Sequence, residues 1–276
     1  MTAIKSMRVR ILFLIMTAAL AAPALILPVK AQPDAGPGLP ASMASRLKAE
    51  RIGPVEPGFY SVGDAGSFVL EPYGPTHYLL RFTGGKESFV LSVERSSLGA
   101  RILKYDTGAT AIRVSVWGGM TLYTPGAPGG LPATRQGDAP PANELAISAG
   151  ELQTAFNDEA GHLTYVQKIN IRFSADPAVL QSDPETRGRA FDALTNAAVG
   201  IEHFLATLPG VRSLFARRVN SVKVAEGGKP TVTLSGNTLL VSFVPGEGHE
   251  GHASSLAIQQ ELTRLFAAQP KDMASK

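Results

Sequence analysis

The sequence predicts an α+β protein. An N-terminal antiparallel β-meander of about six strands, sandwich- or barrel-like, is followed by a helical segment and a three-stranded antiparallel sheet packed with helices. Three observations predict this. Short alternating segments separated by turn residues fill Phe59 to Thr124. A Pro/Gly-rich stretch, PGAPGGLPATRQGDAPPAN, follows from Pro125 to Asn143. Beyond it, apolar residues recur at three and four and then return to alternation. The expected organisation is a signal peptide over 1–31, a spacer over 32–58, the meander over 59–124, a linker over 125–142 and an α+β half over 143–276.

The chain opens with Lys5, Arg8 and Arg10, then an apolar run from Ile11 to Leu27 and small residues before Gln32. This is the layout of a secretory leader, with cleavage expected after Ala31. The alternative is an uncleaved anchor, although Pro23 interrupts a run barely long enough to span a bilayer. A periplasmic or secreted location follows, with no stable membrane span after cleavage. There is no cysteine, so disulfides, thiolate metal sites and thiol nucleophiles are excluded.

The basic balance belongs to the leader. Lys5, Arg8, Arg10 and Lys30 are four of the 26 Lys and Arg residues, which leaves 22 against 23 acidic residues after Ala31. A chain near neutrality offers no electrostatic basis for nucleic-acid binding.

Gln32 to Gly58 begins with a Pro/Gly spacer, and Ala41 to Arg51 has the pattern of a short helix. The predicted strands of the meander are Ser67–Pro72, His77–Phe82, Ser88–Glu94, Ala100–Tyr105, Thr110–Val116 and Met120–Thr124. Turn signals about every ten residues mean hairpins, because parallel strands need longer crossovers. Trp117 sits at the Gly118-Gly119 turn, as a rim anchor or core plug, with ligand stacking the alternative. Asn143 to Asp158 is expected to be helical, capped by Asn143 or Ser148. Leu163 to Phe173 fits a strand better than a helix. Asp183-Pro184-Glu185 starts a long helix with an apolar stripe through to Leu208. His203 on it reads as structural or exposed. Val211 to Arg218 is a second helix. Val219–Ala225, Thr231–Ser235 and Thr238–Val244 are the three strands of the second sheet, and Ser254-Ser255 caps a last helix.

Two stretches suggest chemistry. Asp106-Thr107-Gly108-Ala109 matches the aspartic-protease signature, in which paired aspartates share a proton. A single copy would require a dimer, and Lys104 and Tyr105 stand where such enzymes place apolar residues. Hairpin chemistry, with Gly108 taking a positive φ, fits the flanking alternation better. The second stretch is Gly246 to His252. His249 and His252, with Glu250 between them, are residue types that suit zinc, copper or nickel. Their spacing of three and the surrounding glycines do not match the helical zinc-protease motif. No nucleophile elbow or phosphate-binding loop is present. No cofactor is predicted, and no catalytic residue beyond the candidate Asp106.

Three glycine-based segments carry a resemblance. They are Gly118 to Pro125 followed by Gly130-Leu131-Pro132-Ala133, Gly200 to Leu205 with Gly210, and Gly251 to Ser255. With the leader, they resemble an exported alphaproteobacterial family catalogued as domain of unknown function 4908. The resemblance covers most of the chain after the leader and implies no activity, substrate or catalytic residue. The function expected is that of a non-catalytic binding or structural module of the cell envelope, its partner an envelope protein or a small apolar ligand. The alternative is a hydrolase, aspartic-protease-like through Asp106 or metal-dependent through the histidine loop.

Overall fold

The computed structural model describes residues 55–139, 144–207 and 210–267. The expected leader, the Ala41–Arg51 helix and most of the spacer lie outside them.

Eight antiparallel strands close into a barrel: β1 (Gly58–Ser61), β2 (Ser67–Tyr73), β3 (His77–Phe82), β4 (Ser88–Arg95), β5 (Arg101–Lys104), β6 (Thr110–Val114), β7 (Met120–Thr124) and β8 (Ala127–Gly137). Each strand pairs with the next, and β8 returns to β1 through Tyr60 opposite Arg135 and Ser61 opposite Thr134. Alternation sends one side chain in two inward. Phe68, Leu70, Leu80, Leu91, Leu103, Ile112 and Leu122 fill the interior and are almost wholly excluded from solvent. Eight strands leave room for little else, so the barrel is packed rather than hollow.

The six-strand meander is therefore corrected to an eight-stranded barrel. β1 was missed because four residues beside Pro57 carry too little pattern. β8 was missed because its prolines and glycines read as a linker. Pro128 and Pro132 fall in the half of β8 that β1 does not reach, so one side of the strand needs no donor there. Gly130 has φ +83°, and a Cβ on it would lie 2.6 Å from Thr121 Cγ2. The register shifts between Leu122 and Thr124 at this point, so the glycine marks a bulge with close approach.

The second layer also differs from expectation. It contains α1 (Ala149–Gln167), β9 (Arg172–Ala175), α2 (Pro177–Gln181), α3 (Pro184–Thr207), α4 (Val211–Arg218), β10 (Ser221–Glu226), β11 (Thr231–Ser235), β12 (Thr238–Phe243), a 3-10 turn (Pro245–Gly251) and α5 (Ser255–Ala267). The sheet has four strands in the order β11-β12-β10-β9. β10 runs parallel to both β9 and β12, and only β11 and β12 form an antiparallel hairpin. The expected three-stranded antiparallel sheet is thus a mixed four-stranded one. The short loop after β10 suggested a hairpin, but β12 inserts between β10 and β11.

Part of the expected strand from Leu163 to Phe173 is helix. Ser148 and Glu151 form a capping box that starts α1. Leu152, Phe156 and Leu163 bury one face of it, and Lys168, in the left-handed region at φ 57°, ends it. Strand alternation begins only after that residue. Trp117 is 78% exposed at the β6–β7 turn, so it is not a core plug, and His203 is exposed.

α3 is the core helix of this layer. Its Gly200 meets α5 so closely that a Cβ would lie 2.8 Å from Ile258 Cβ and from the Ser255 carbonyl oxygen. α5 joins the two hydrophobic cores. Leu256 packs on the barrel cluster, while Ile258, Leu262 and Phe266 enter the α/β cluster.

Candidate functional site

The polar residues of the molecule converge where the start of α5 and the 3-10 turn meet the barrel. Ser254 is the N-cap of α5, its Oγ accepting from the Ala257 N–H at 3.1 Å. The cap is itself held by the barrel. Asp106 Oδ2 accepts from the Ser254 N–H at 2.9 Å, and Oδ1 accepts from the Ser254 hydroxyl at 2.6 Å. Glu87, on the β3–β4 turn, accepts from the Ser255 N–H at 2.7 Å and from its hydroxyl at 2.5 Å. Two carboxylates thus face the positive end of one helix, where N–H groups lack partners within the helix.

Glu87 is buried, and its carboxyl is pushed up to about 7. Loss of water is the main cause, opposed by the two Ser255 hydrogen bonds and reinforced by the nearby Asp106 charge.

Hairpin chemistry explains Gly108, with φ +81° and open space where a Cβ would stand. It does not account for Asp106. That side chain binds a residue 148 positions away, and both its oxygens are engaged by Ser254.

The histidine loop is ordered by contacts that demand its glycines. The His249 N–H donates to Tyr73 Oη at 2.9 Å, and the two rings meet edge-on. Gly248 has φ +55°, and a Cβ there would stand 2.3 Å from the same Tyr73 oxygen. The Val244 N–H closes the turn on the Gly251 carbonyl at 2.7 Å. A Cβ on Gly251 would lie 2.1 Å from the Val244 oxygen.

His249 and His252 come together, and Asp192 of α3 joins them. One ligand atom from each lies within 4.8 Å of the other two. Glu250, the ligand expected from sequence, turns away and meets His77 at 3.1 Å. Asp192 also receives Arg189 at 3.4 Å, and Arg189 reaches Glu144 at 3.0 Å. Burial pushes the Asp192 carboxyl up to about 6 against the pull of Arg189. Burial pushes His252 down to about 4, with His249 and Arg189 adding to the effect, and lowers His249 as well. Both imidazoles are neutral at neutral pH and able to donate lone pairs.

Two cavities adjoin this cluster. One of about 190 Å³ touches Asp106, His249, His252 and Lys104. The other, of about 430 Å³, touches Glu87, Asp192 and His249. Asp192 and Glu87 were not identified from sequence. Asp192 stands three residues after Arg189 on a helix, which reads as a surface ion pair, and Glu87 follows a Gly-Gly-Lys turn like any solvated hairpin charge. No local pattern distinguishes either.

A larger groove of about 870 Å³ is bordered by Leu256 and Gln260 of α5. It runs over the outside of β5 and β6, between the β7–β8 turn and the start of the helix. Ile102, Tyr105, Tyr123, Pro128 and Leu256 wall it, with Arg113 and Gln260 among its polar groups. Arg113 is exposed and makes no ion pair among the described residues.

No curated protein and no solved structure matches the chain. A family model does, over residues 41–262, spanning the barrel, the mixed sheet and the first two turns of α5. The chain belongs to the family described as Domain of unknown function (DUF4908).

Proposed function

We propose that the chain is an exported binding module of the cell envelope that takes a small amphipathic molecule, apolar along its body and anionic at one end. The observation that carries this is the 870 Å³ groove, whose walls are largely apolar and aromatic and whose polar groups include Arg113, a cation with no ion pair among the described residues. Its volume falls in the range of small-molecule sites, which combine apolar walls with a few orienting polar groups. The filled barrel interior supports an external seat over a ligand held inside the strands. The leader-like start of the sequence supports export.

Calorimetry of the purified chain with dodecanoate and dodecanol tests this. Saturable binding of dodecanoate is expected, weakened about tenfold by Arg113→Glu, with dodecanol unaffected by that change. Absence of saturable binding to either probe would overturn the proposal, as would equal dodecanoate affinity in the variant.

A further inference from the structure

We propose that Asp192, His249 and His252 bind one divalent transition-metal ion of the zinc class. The cluster is separate from the groove, so the two proposals stand or fall independently.

The first observation is geometric. Three donors of types that zinc accepts, two imidazole nitrogens and a carboxylate oxygen, lie within 4.8 Å of one another. Bonds of about 2.0–2.1 Å at tetrahedral angles bring donor atoms to about 3.5 Å apart. His252 Nε2 already stands 3.8 Å from Asp192 Oδ2, and no pair of the three donors, all within 4.8 Å, has to close by more than about 1.3 Å.

The second observation is independent of the clustering. His249 Nδ1 and His252 Nε2 are both buried and have no hydrogen-bond partner among the described residues. The His252 side chain is only 4% exposed. A buried polar atom left unpaired costs about 1–3 kcal/mol, so two on the residues of one cluster call for an occupant. A cation satisfies both nitrogens together.

The supporting structure fits. The Tyr73 contact and the close-packed Gly248 and Gly251 hold the loop in place before any ion arrives, which reduces the ordering entropy that a flexible loop would lose. Arg189 steadies the Asp192 carboxylate as a hydrogen-bonding partner behind the metal. Entry costs one hydrogen bond. The Asn196 amide nitrogen lies 3.1 Å from His252 Nδ1 and 3.0 Å from the Ala253 carbonyl oxygen. Coordination through Nε2 leaves the imidazole proton on Nδ1, so the amide turns its oxygen to that proton and releases Ala253. Three protein donors leave one position open, as in zinc sites that admit water or a ligand. His249 lines both neighbouring cavities, so that position has space beside it.

The test is titration of the metal-free full chain with Zn²⁺, and with Co²⁺ as a coloured stand-in. One Zn²⁺ per chain is expected, with a visible Co²⁺ spectrum of low coordination number and a metal-dependent rise in Tm. His249→Ala, and separately the shape-preserving Asp192→Asn, each weaken binding at least tenfold while far-ultraviolet circular dichroism shows the fold retained. A folded wild-type chain that takes up no Zn²⁺ would overturn the proposal, and so would folded variants that bind as tightly as the parent.

Discussion

Ser255 donates both its main-chain N–H and its hydroxyl to Glu87, a residue 168 positions earlier in the chain. Ser254 does the same to Asp106. A barrel hairpin and a barrel turn thereby supply the acceptors that the first turn of α5 lacks. The barrel and the α/β layer are coupled through the start of one helix.

Replacing Glu87 by Gln is expected to remove a pH dependence of stability. The Glu87 carboxyl is raised from 4.5 to about 7 in the folded chain. Between those values the folded state holds a proton that the unfolded state has released, so stability falls as pH rises through the window. Asp192, raised from 3.8 to about 6, acts in the same direction. His252, lowered from 6.5 to about 4, acts oppositely. The stability of Glu87→Gln relative to the parent therefore climbs between pH 4.5 and 7, by about 3 kcal/mol, and is flat above. Urea unfolding across the window measures this, and a constant difference would refute the assignment.

Asp106 and Gly108 share one turn but serve different partners. Asp106→Ala leaves the Ser254 N–H and hydroxyl without acceptors and is expected to cost about 1–3 kcal/mol. Gly108→Ala meets open space and bears only the positive φ, about 1 kcal/mol. Combining Asp106→Ala with Ser254→Ala should cost much less than the sum of the two single changes, because both act on one contact. Chemical denaturation of the four proteins decides it.

The glycines separate by environment. Gly251→Ala drives a methyl onto the Val244 carbonyl, and Gly200→Ala forces α3 and α5 apart. Each is expected to lose about 3 kcal/mol. Gly161→Ala, on the exposed face of α1 with nothing within 4 Å, should gain up to about 1 kcal/mol. Thermal melts of the three variants give the order directly.

Trp117 is the chain's single tryptophan and is 78% exposed. Its fluorescence in the folded protein should already be that of indole in water, open to iodide quenching, and should change little on unfolding. A blue-shifted, protected emission would contradict its place at the β6–β7 turn.

Strands β2 to β7 could be read from the sequence because each carries its own alternation and ends at its own turn residues. The Asp183 and Ser254 caps were legible for the same reason. What could not be read was relational. β8 looks like a linker until its prolines are seen to fall where β1 does not reach. The three last strands look like a meander until β12 is seen between β10 and β11. His249 and His252 were visible as a pair, whereas their third neighbour, Asp192, sits on a distant helix and looks like a surface charge.

The sequence by itself determined local conformation: which segments alternate, where helices begin, and which glycines turn the chain. These are set by residues a few positions apart. Only the tertiary structure decided barrel closure, the parallel pairing of β10, the commitment of Asp106 and Glu87 to α5, and the meeting of Asp192 with two histidines. Those depend on groups from 17 to 168 positions apart, whose approach is set by the packing of the whole chain and leaves no trace in local spacing.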